Sequence, residues 1–165
     1  MSKLLNCLIN KDISCVPIWF MRQAGRYLPE FKQLRSQNPN FLKLCLNSDL
    51  SSEITLQPMK RFNLDAAIIF SDILMIPWAM DRNVEFTKNF GPSMDPMIPD
   101  ETKILKNISI SSKLKPLKNS ISYLRKKLPK SVALIGFAGA PWTLACYMIE
   151  GQGSKDFINT RKALW

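Results

Sequence analysis

The chain has 165 residues, 46% hydrophobic and 22% charged, with a net charge of +10 and no histidine. That is an ordinary globular balance, in a length that fills one domain core, and it excludes a disordered or fibrous chain. Without histidine there is no Ser-His or Cys-His nucleophile, and nothing completes a zinc set with Cys7, Cys15, Cys45 and Cys146, which form no CxxC pair.

In chain order, the first predicted element is a short helix over Leu4–Asn10. Its apolar stretch is broken by Asn6, Asn10, Lys11 and Asp12, unlike a signal peptide. Val16–Met21 is apolar throughout and predicts a buried strand. Short helices are expected at Pro29–Ser36 and Phe41–Leu46, either side of the Asn38-Pro39 break. Ser51–Phe62 opens with Ser-Ser-Glu, a capping pattern, and predicts a helix. Asp65–Phe70 is a compact apolar strand. Val84–Lys115 holds Pro92, Pro96 and Pro99 with little periodicity and reads as a long irregular excursion. Leu117, Ile121, Leu124 and Leu128 form a helical stripe over Leu117–Leu128. Val132–Phe137 is a third strand. Gly136, Gly139 and Pro141 divide the uncharged run Val132–Ile149 into strand, turn and helix start, so it does not read as a membrane span. A last helix is expected from Asp156 to Trp165.

Strands alternating with helices predict a parallel sheet, opening either a doubly wound fold or an eight-stranded barrel. No GxGxxG follows a strand and no GxxxxGK[ST] occurs, which counts against nucleotide-binding versions. A barrel takes roughly 250 residues and needs more than these strands to close. The chain also ends at Leu164-Trp165 without a polar tail, so the pattern reads as a fragment. Much of the positive charge comes from Lys113, Lys115, Lys118, Arg125, Lys126, Lys127 and Lys130, in and around one predicted helix. With Tyr123 the one aromatic among these residues, this reads as a solvated face rather than a nucleic-acid footprint.

Three places can carry chemistry. Arg22, Gln23, Ala24, Gly25 and Arg26 follow directly on the first predicted strand. Two guanidiniums at this spacing project together over a helical turn or converge from a loop shaped by Gly25, and arginine pairs grip carboxylates in bidentate fashion. The bland alternative is a surface salt bridge. Asp72 lies two residues past the strand Asp65–Phe70, among Phe70, Ile73, Leu74, Ile76, Pro77 and Trp78. A carboxylate between such walls is either a ligand group or a helix cap. Tyr147, with Trp142 and Met148 nearby, is a core tyrosine or a ligand contact, and Gly151, Gly153 and Ser154 follow it as a loop.

The strings MRQAGRYLPEF at Met21–Phe31, FSDIL at Phe70–Leu74 and GAPWTLACYMIEGQGSK at Gly139–Lys155 stand in the order of three signature stretches. On these the chain resembles the N-terminal half of the uroporphyrinogen decarboxylase family. The likeness runs through Glu53–Leu56, Asp65–Leu74 and the Gly91-Pro92 loop, and departs at Asn89, where the family often has glycine. It implies an α/β fold: the N-terminal part of a (β/α)8 TIM barrel, incomplete in this chain. Residues 1–165 would then be the N-terminal portion of a single barrel domain, with the C-terminal half missing. The family is cofactor-free and metal-free, cytoplasmic and usually homodimeric. It converts uroporphyrinogen III to coproporphyrinogen III, releasing four carboxyls as CO2 in haem and chlorophyll synthesis.

Carried over residue by residue, the resemblance makes Arg22, Gln23, Ala24, Gly25, Arg26, Asp72 and Tyr147 substrate-binding. Asp72 and Arg22 become catalytic, Asp72 accepting the pyrrole N–H groups and Arg22 as a candidate proton donor. The partner implied is uroporphyrinogen, a tetrapyrrole with eight carboxylates, and neither nucleic acid nor membrane. The family's Ser or Thr and His lie in the C-terminal half, so residues 1–165 alone are expected to have little activity. Two alternatives stand beside this. One is a corrinoid-linked methyltransferase relative, a group that generally lacks the RQAGR string. The other is a non-catalytic truncated copy.

Overall fold

The computed structural model describes residues 1–87, 91–98 and 110–164. The chain divides into two compact units. The first comprises Met1–Ser71 and Pro116–Phe137, and the second Asp72–Lys115 and the residues from Ala138 onward. Asn89, Pro99 and Trp165 lie outside the described residues.

The first unit is built on two parallel strands, β1 (Ala66–Ile68) and β4 (Ala133–Ile135), in the register Ala66↔Ala133, Ala67↔Leu134 and Ile68↔Ile135. Four helices precede β1, and their ends are set by short polar side chains. Ser2 accepts from Leu5 N at the start of α1 (Lys3–Asn10), and Lys11 closes it in the left-handed region. Pro29 opens α2 (Pro29–Gln37), where a fixed φ is already helical. Asn40 caps α3 (Phe41–Cys45) through Lys43 N.

The helix α4 runs Ser48–Arg61, starting three residues before the Ser-Ser-Glu signal. Asn47 supplies the cap, accepting from Asp49 N and Leu50 N at 3.0 Å each. Ser51 and Ser52 are buried inside the helix. Ser51 Oγ meets Ser120 Oγ at 2.7 Å, joining α4 to α7 (Lys115–Lys127). Thr55 Oγ1 donates to Ser51 O at 2.7 Å and accepts from Phe70 N at 2.8 Å, tying α4 to the end of the strand segment.

Two apolar clusters sit on this frame. Leu28, Phe31, Leu34, Leu44 and Ile54 gather α2, α3 and α4, and Ala67, Ile69, Leu124 and Leu128 gather β1 and α7. The predicted stripe on α7 is real at Leu124, which is fully buried, while Ile121 is exposed. Lys115, Lys118, Arg125, Lys126, Lys127 and Lys130 are exposed, as a solvated face requires. Arg125 also reaches the carbonyls of Leu128, Pro129 and Val132 at 3.0–3.2 Å, fixing the turn from α7 into β4.

The strand expected at Val16–Met21 does not form. Val16 is 81% exposed and Met21 80%. The segment touches the sheet at one place: Asp65 N donates to Ile18 O at 2.8 Å, and Ile18 N donates to Asp65 Oδ2 at 2.9 Å. A buried parallel strand needs a continued ladder and cover on both faces. Among the described residues this segment has neither.

In the second unit the excursion after residue 84 is more regular than its prolines suggest. Glu85–Thr87 (β2) and Gly91–Ser93 (β3) pair antiparallel. Met94 N then donates to Gly151 O and Met97 N to Met148 O, both at 2.7 Å. These bonds bind the excursion to the end of α8 (Pro141–Glu150). Two short helices, α5 (Met75–Ala79) and α6 (Ile110–Lys113), went unforeseen. Lys113 pairs with Asp81. The last helix is α9 (Ile158–Lys162), shorter than expected, held by Glu150 Oε1, which accepts from the Thr160 N–H at 2.8 Å and its hydroxyl at 3.0 Å.

Gly151 closes α8 at φ 78°, in the left-handed region that disfavours side chains. A Cβ there would stand 2.7 Å from the Met94 carbonyl oxygen and 2.8 Å from Pro96 Cγ. Gly151→Ala is therefore expected to destabilise the protein by about 1–3 kcal/mol from backbone strain alone. The denaturant midpoint of the complete protein measures this, and an unchanged midpoint would contradict this helix end.

Candidate active site

Each unit holds part of the predicted site. In the first, residues 20–28 form a series of turns between the exposed apolar segment and α2, not a helical turn. Leu28 N donates to Gly25 O at 3.0 Å. Gly25 is not in the left-handed region, and a Cβ on it would make only ordinary contact with Tyr27 Cδ1 at 3.9 Å. The loop's shape therefore does not come from glycine's conformational freedom, as the sequence reading had it.

What shapes the loop is Gln23, which is 2% exposed. Its Oε1 accepts from Phe20 N at 3.2 Å, and its Nε2 donates to Ala66 O at 3.0 Å. The Gln23 carbonyl accepts from the Tyr27 hydroxyl. Both ends of the Gln23 side-chain amide are committed within the protein, one to the loop and one to β1. Arg22 and Arg26 flank it and are exposed, and among the described residues neither guanidinium makes an ion pair or hydrogen bond. The surface salt-bridge alternative thus finds no partner among the described residues. Ala24 is half-buried against the α2–α4 cluster.

In the second unit, Asp72 is half-buried ahead of α5. Its Oδ1 accepts from Leu74 N at 2.8 Å, an Asx turn that sets up the helix without capping it, since Leu74 holds the cap position. Among the described residues the carboxylate's second oxygen has no hydrogen bond. Burial pushes the Asp72 pKa up from the ordinary aspartate value, and the Leu74 N–H pulls the other way. Of the two roles left open by the sequence, the turn engages one oxygen of Asp72 and leaves the other without a hydrogen bond among the described residues.

Tyr147 is half-buried on α8. It packs against the cluster of Leu74, Val84, Met94, Met97 and Met148, the same core that borders the Asp72 turn. Gly139, at the turn into α8, is closely covered: a Cβ there would meet Leu144 Cδ2 at 2.6 Å and Ile73 Cβ at 3.3 Å. The strand-to-helix turn and the residue after Asp72 are packed together this way. Among the described residues no three His, Cys, Asp or Glu side chains gather as metal ligands, and no helix is long and apolar enough to cross a membrane.

In fold the chain is similar to a methyltransferase from Methanosarcina mazei, with a TM-score of 0.63 at 20% identity, over 88% of this chain and 44% of that one. This likeness, with the parallel pair β1 and β4, places the chain in the α/β fold class. The uroporphyrinogen decarboxylase family profile matches residues 1–165, and the chain belongs to that family. It is 49% identical over 154 residues to uroporphyrinogen decarboxylase of Agrobacterium fabrum, covering 93% of this chain and 45% of that protein. It is 46% identical over 166 residues to the same enzyme of Vibrio vulnificus, covering 99% and 46%. The chain thus spans about half the length of the curated relatives it matches. The family's fold is the TIM barrel expected from the sequence, and the described residues contain an incomplete part of it with no closed barrel.

Proposed function

We propose that the complete protein containing these residues is a uroporphyrinogen decarboxylase, and that residues 1–165 are the N-terminal portion of its single barrel domain. The observation that carries this is the loop at residues 22–26, where two exposed arginines, unpaired among the described residues, flank a buried glutamine. Such a loop suits a substrate rich in carboxylates, which pair with guanidinium through two parallel hydrogen bonds.

The chemistry asks for a proton, an electron sink and a fixed negative charge. Protonation of a pyrrole α-carbon makes a cationic ring. The carbon–carboxylate bond then breaks, CO2 leaves, and the bonding electrons neutralise the ring. A second proton converts the exocyclic carbon to methyl, and loss of the first restores the pyrrole. Per acetate group, one proton is consumed and one CO2 released. Asp72, with an oxygen free of hydrogen bonds among the described residues, accepts the pyrrole N–H groups and stabilises the ring while it is cationic. Arg22 and Arg26 hold the carboxylates, with Arg22 the candidate proton donor. Ala24 and Gly25 complete the loop, and Tyr147 borders the substrate beside the Asp72 turn. The family reading extends to a homodimer in the cytoplasm.

The test is incubation of the purified complete protein with uroporphyrinogen III, followed by chromatography of the oxidised porphyrins. Conversion to the four-carboxylate product supports the proposal. Unchanged eight-carboxylate material, with folded protein present, would reject it. Residues 1–165 alone are expected to give little turnover.

A further inference from the structure

The arginine loop is held from the inside by one side chain. Gln23 is among the most buried polar residues of the chain, yet it stands between two exposed arginines. Its amide faces two ways: the oxygen takes Phe20 N, at the start of the loop, and the nitrogen gives to Ala66 O, the first residue of β1, with Met59 Sδ 3.9 Å away. The other end of the loop returns through the Tyr27 hydroxyl to the Gln23 carbonyl.

The Ala66 carbonyl explains why the amide sits there. Asp65 O and Ile69 N bond to β4, at Ala133 N and Ile135 O. Polar groups of successive strand residues alternate between edges, so the Ala66 carbonyl faces the edge away from β4. After the single Ile18–Asp65 contact the neighbouring segment provides no further main-chain N–H to that edge. The Gln23 side chain supplies the missing donor.

We propose that Gln23 is a positioning residue for the carboxylate clamp, its buried amide fixing the main chain of Arg22 and Arg26 to β1 before substrate arrives. This rests on reading the loop as a substrate clamp. A loop ordered in advance loses less conformational freedom on binding, so the effect falls on affinity before it falls on the chemical step. Glutamine suits the place because one planar group carries a donor and an acceptor pointing apart. A methionine of similar shape has neither, and an ionised glutamate turns lone pairs toward the Ala66 carbonyl.

The experiment uses the complete protein with Gln23→Met and Gln23→Glu. Amide hydrogen exchange over residues 20–26 reads the tether, and KM and kcat for uroporphyrinogen read its use. In Gln23→Met the loop amides are expected to exchange at least about tenfold faster, with KM raised about tenfold and kcat changed much less. In Gln23→Glu, the variant's KM divided by the wild-type KM should fall toward one as pH drops through the introduced carboxyl's pKa. There the neutral acid again donates to Ala66 O, and dividing by wild type removes the substrate's own titration.

Loop exchange in Gln23→Met equal to wild type would overturn the proposal, as would a ratio for Gln23→Glu that does not change with pH. If Gln23→Met does not fold, the pH series decides alone. Wild-type protein without turnover would reject the decarboxylase reading, and the exchange rates would still judge the tether.

Discussion

Replacing Asp72 by alanine in the complete protein is expected to lower kcat/KM for uroporphyrinogen by roughly 10²- to 10³-fold, the range seen when one preorganised electrostatic contact to a transition state is removed. The ring is cationic only between protonation and CO2 loss, so most of the loss should appear in kcat. The fold should persist, since Asp72 gives the protein one turn bond, to Leu74 N at 2.8 Å. An alanine variant with wild-type kinetics would remove Asp72 from the reaction.

Asp72→Asn separates function from stability. Burial raises the folded-state pKa of this carboxyl, so folding disfavours its ionised form. The resulting destabilisation is absent below the unfolded pKa and grows as pH rises through the folded one. Asparagine keeps the acceptor for Leu74 N and carries no charge. At neutral pH its Tm is therefore expected to match or exceed wild type, with any advantage disappearing on acidification, while turnover is lost. A neutral-pH Tm well below wild type would show that the charged carboxylate stabilises the fold, contrary to the burial argument.

Arg22→Ala and Arg26→Ala are each expected to weaken substrate binding about tenfold to a hundredfold, from the 1.5–3 kcal/mol typical of hydrogen bonds to charged groups, about. Both guanidiniums are exposed and unpaired among the described residues, so stability should change little. The wild-type KM should rise with added salt, and that slope should flatten in each variant. Arg22→Ala should also lose kcat if it donates the proton, while Arg26→Ala should not. Binding indifferent to both substitutions, or to salt, would reject the clamp.

Much of this was legible in the sequence for local reasons. The helices at Pro29 and Pro141 announce themselves because proline at a first turn acts on its own backbone. The strands expected at Asp65–Phe70 and Val132–Phe137, which pair in parallel over Ala66–Ile68 and Ala133–Ile135, followed from apolar runs separated by a helical stripe. What failed depends on neighbours. Val16–Met21 has the composition of a buried strand, but composition cannot state whether a partner strand is present to complete the ladder. The Ser51-Ser52-Glu53 signal lost to Asn47, because a serine such as Ser51, which bonds across to α7, serves inside the helix as well as at its start. The pairing of Glu85–Thr87 with Gly91–Ser93 was masked by Pro92, which sits in one strand of a two-stranded pair.

At the site, residue type led to Arg22, Arg26 and Asp72, since unpaired charges beside apolar runs need a purpose. It did not reveal that Gln23 faces inward. That depends on the free carbonyl of Ala66, contributed by a strand more than forty residues later.

The most direct measurement is the amount of CO2 released per tetrapyrrole by the complete protein, alongside the same protein carrying Asp72→Ala. The account predicts four CO2 per uroporphyrinogen consumed by wild type, and little release from the variant at equal folded concentration. Absence of CO2 from wild type, or equal release from both, would contradict it.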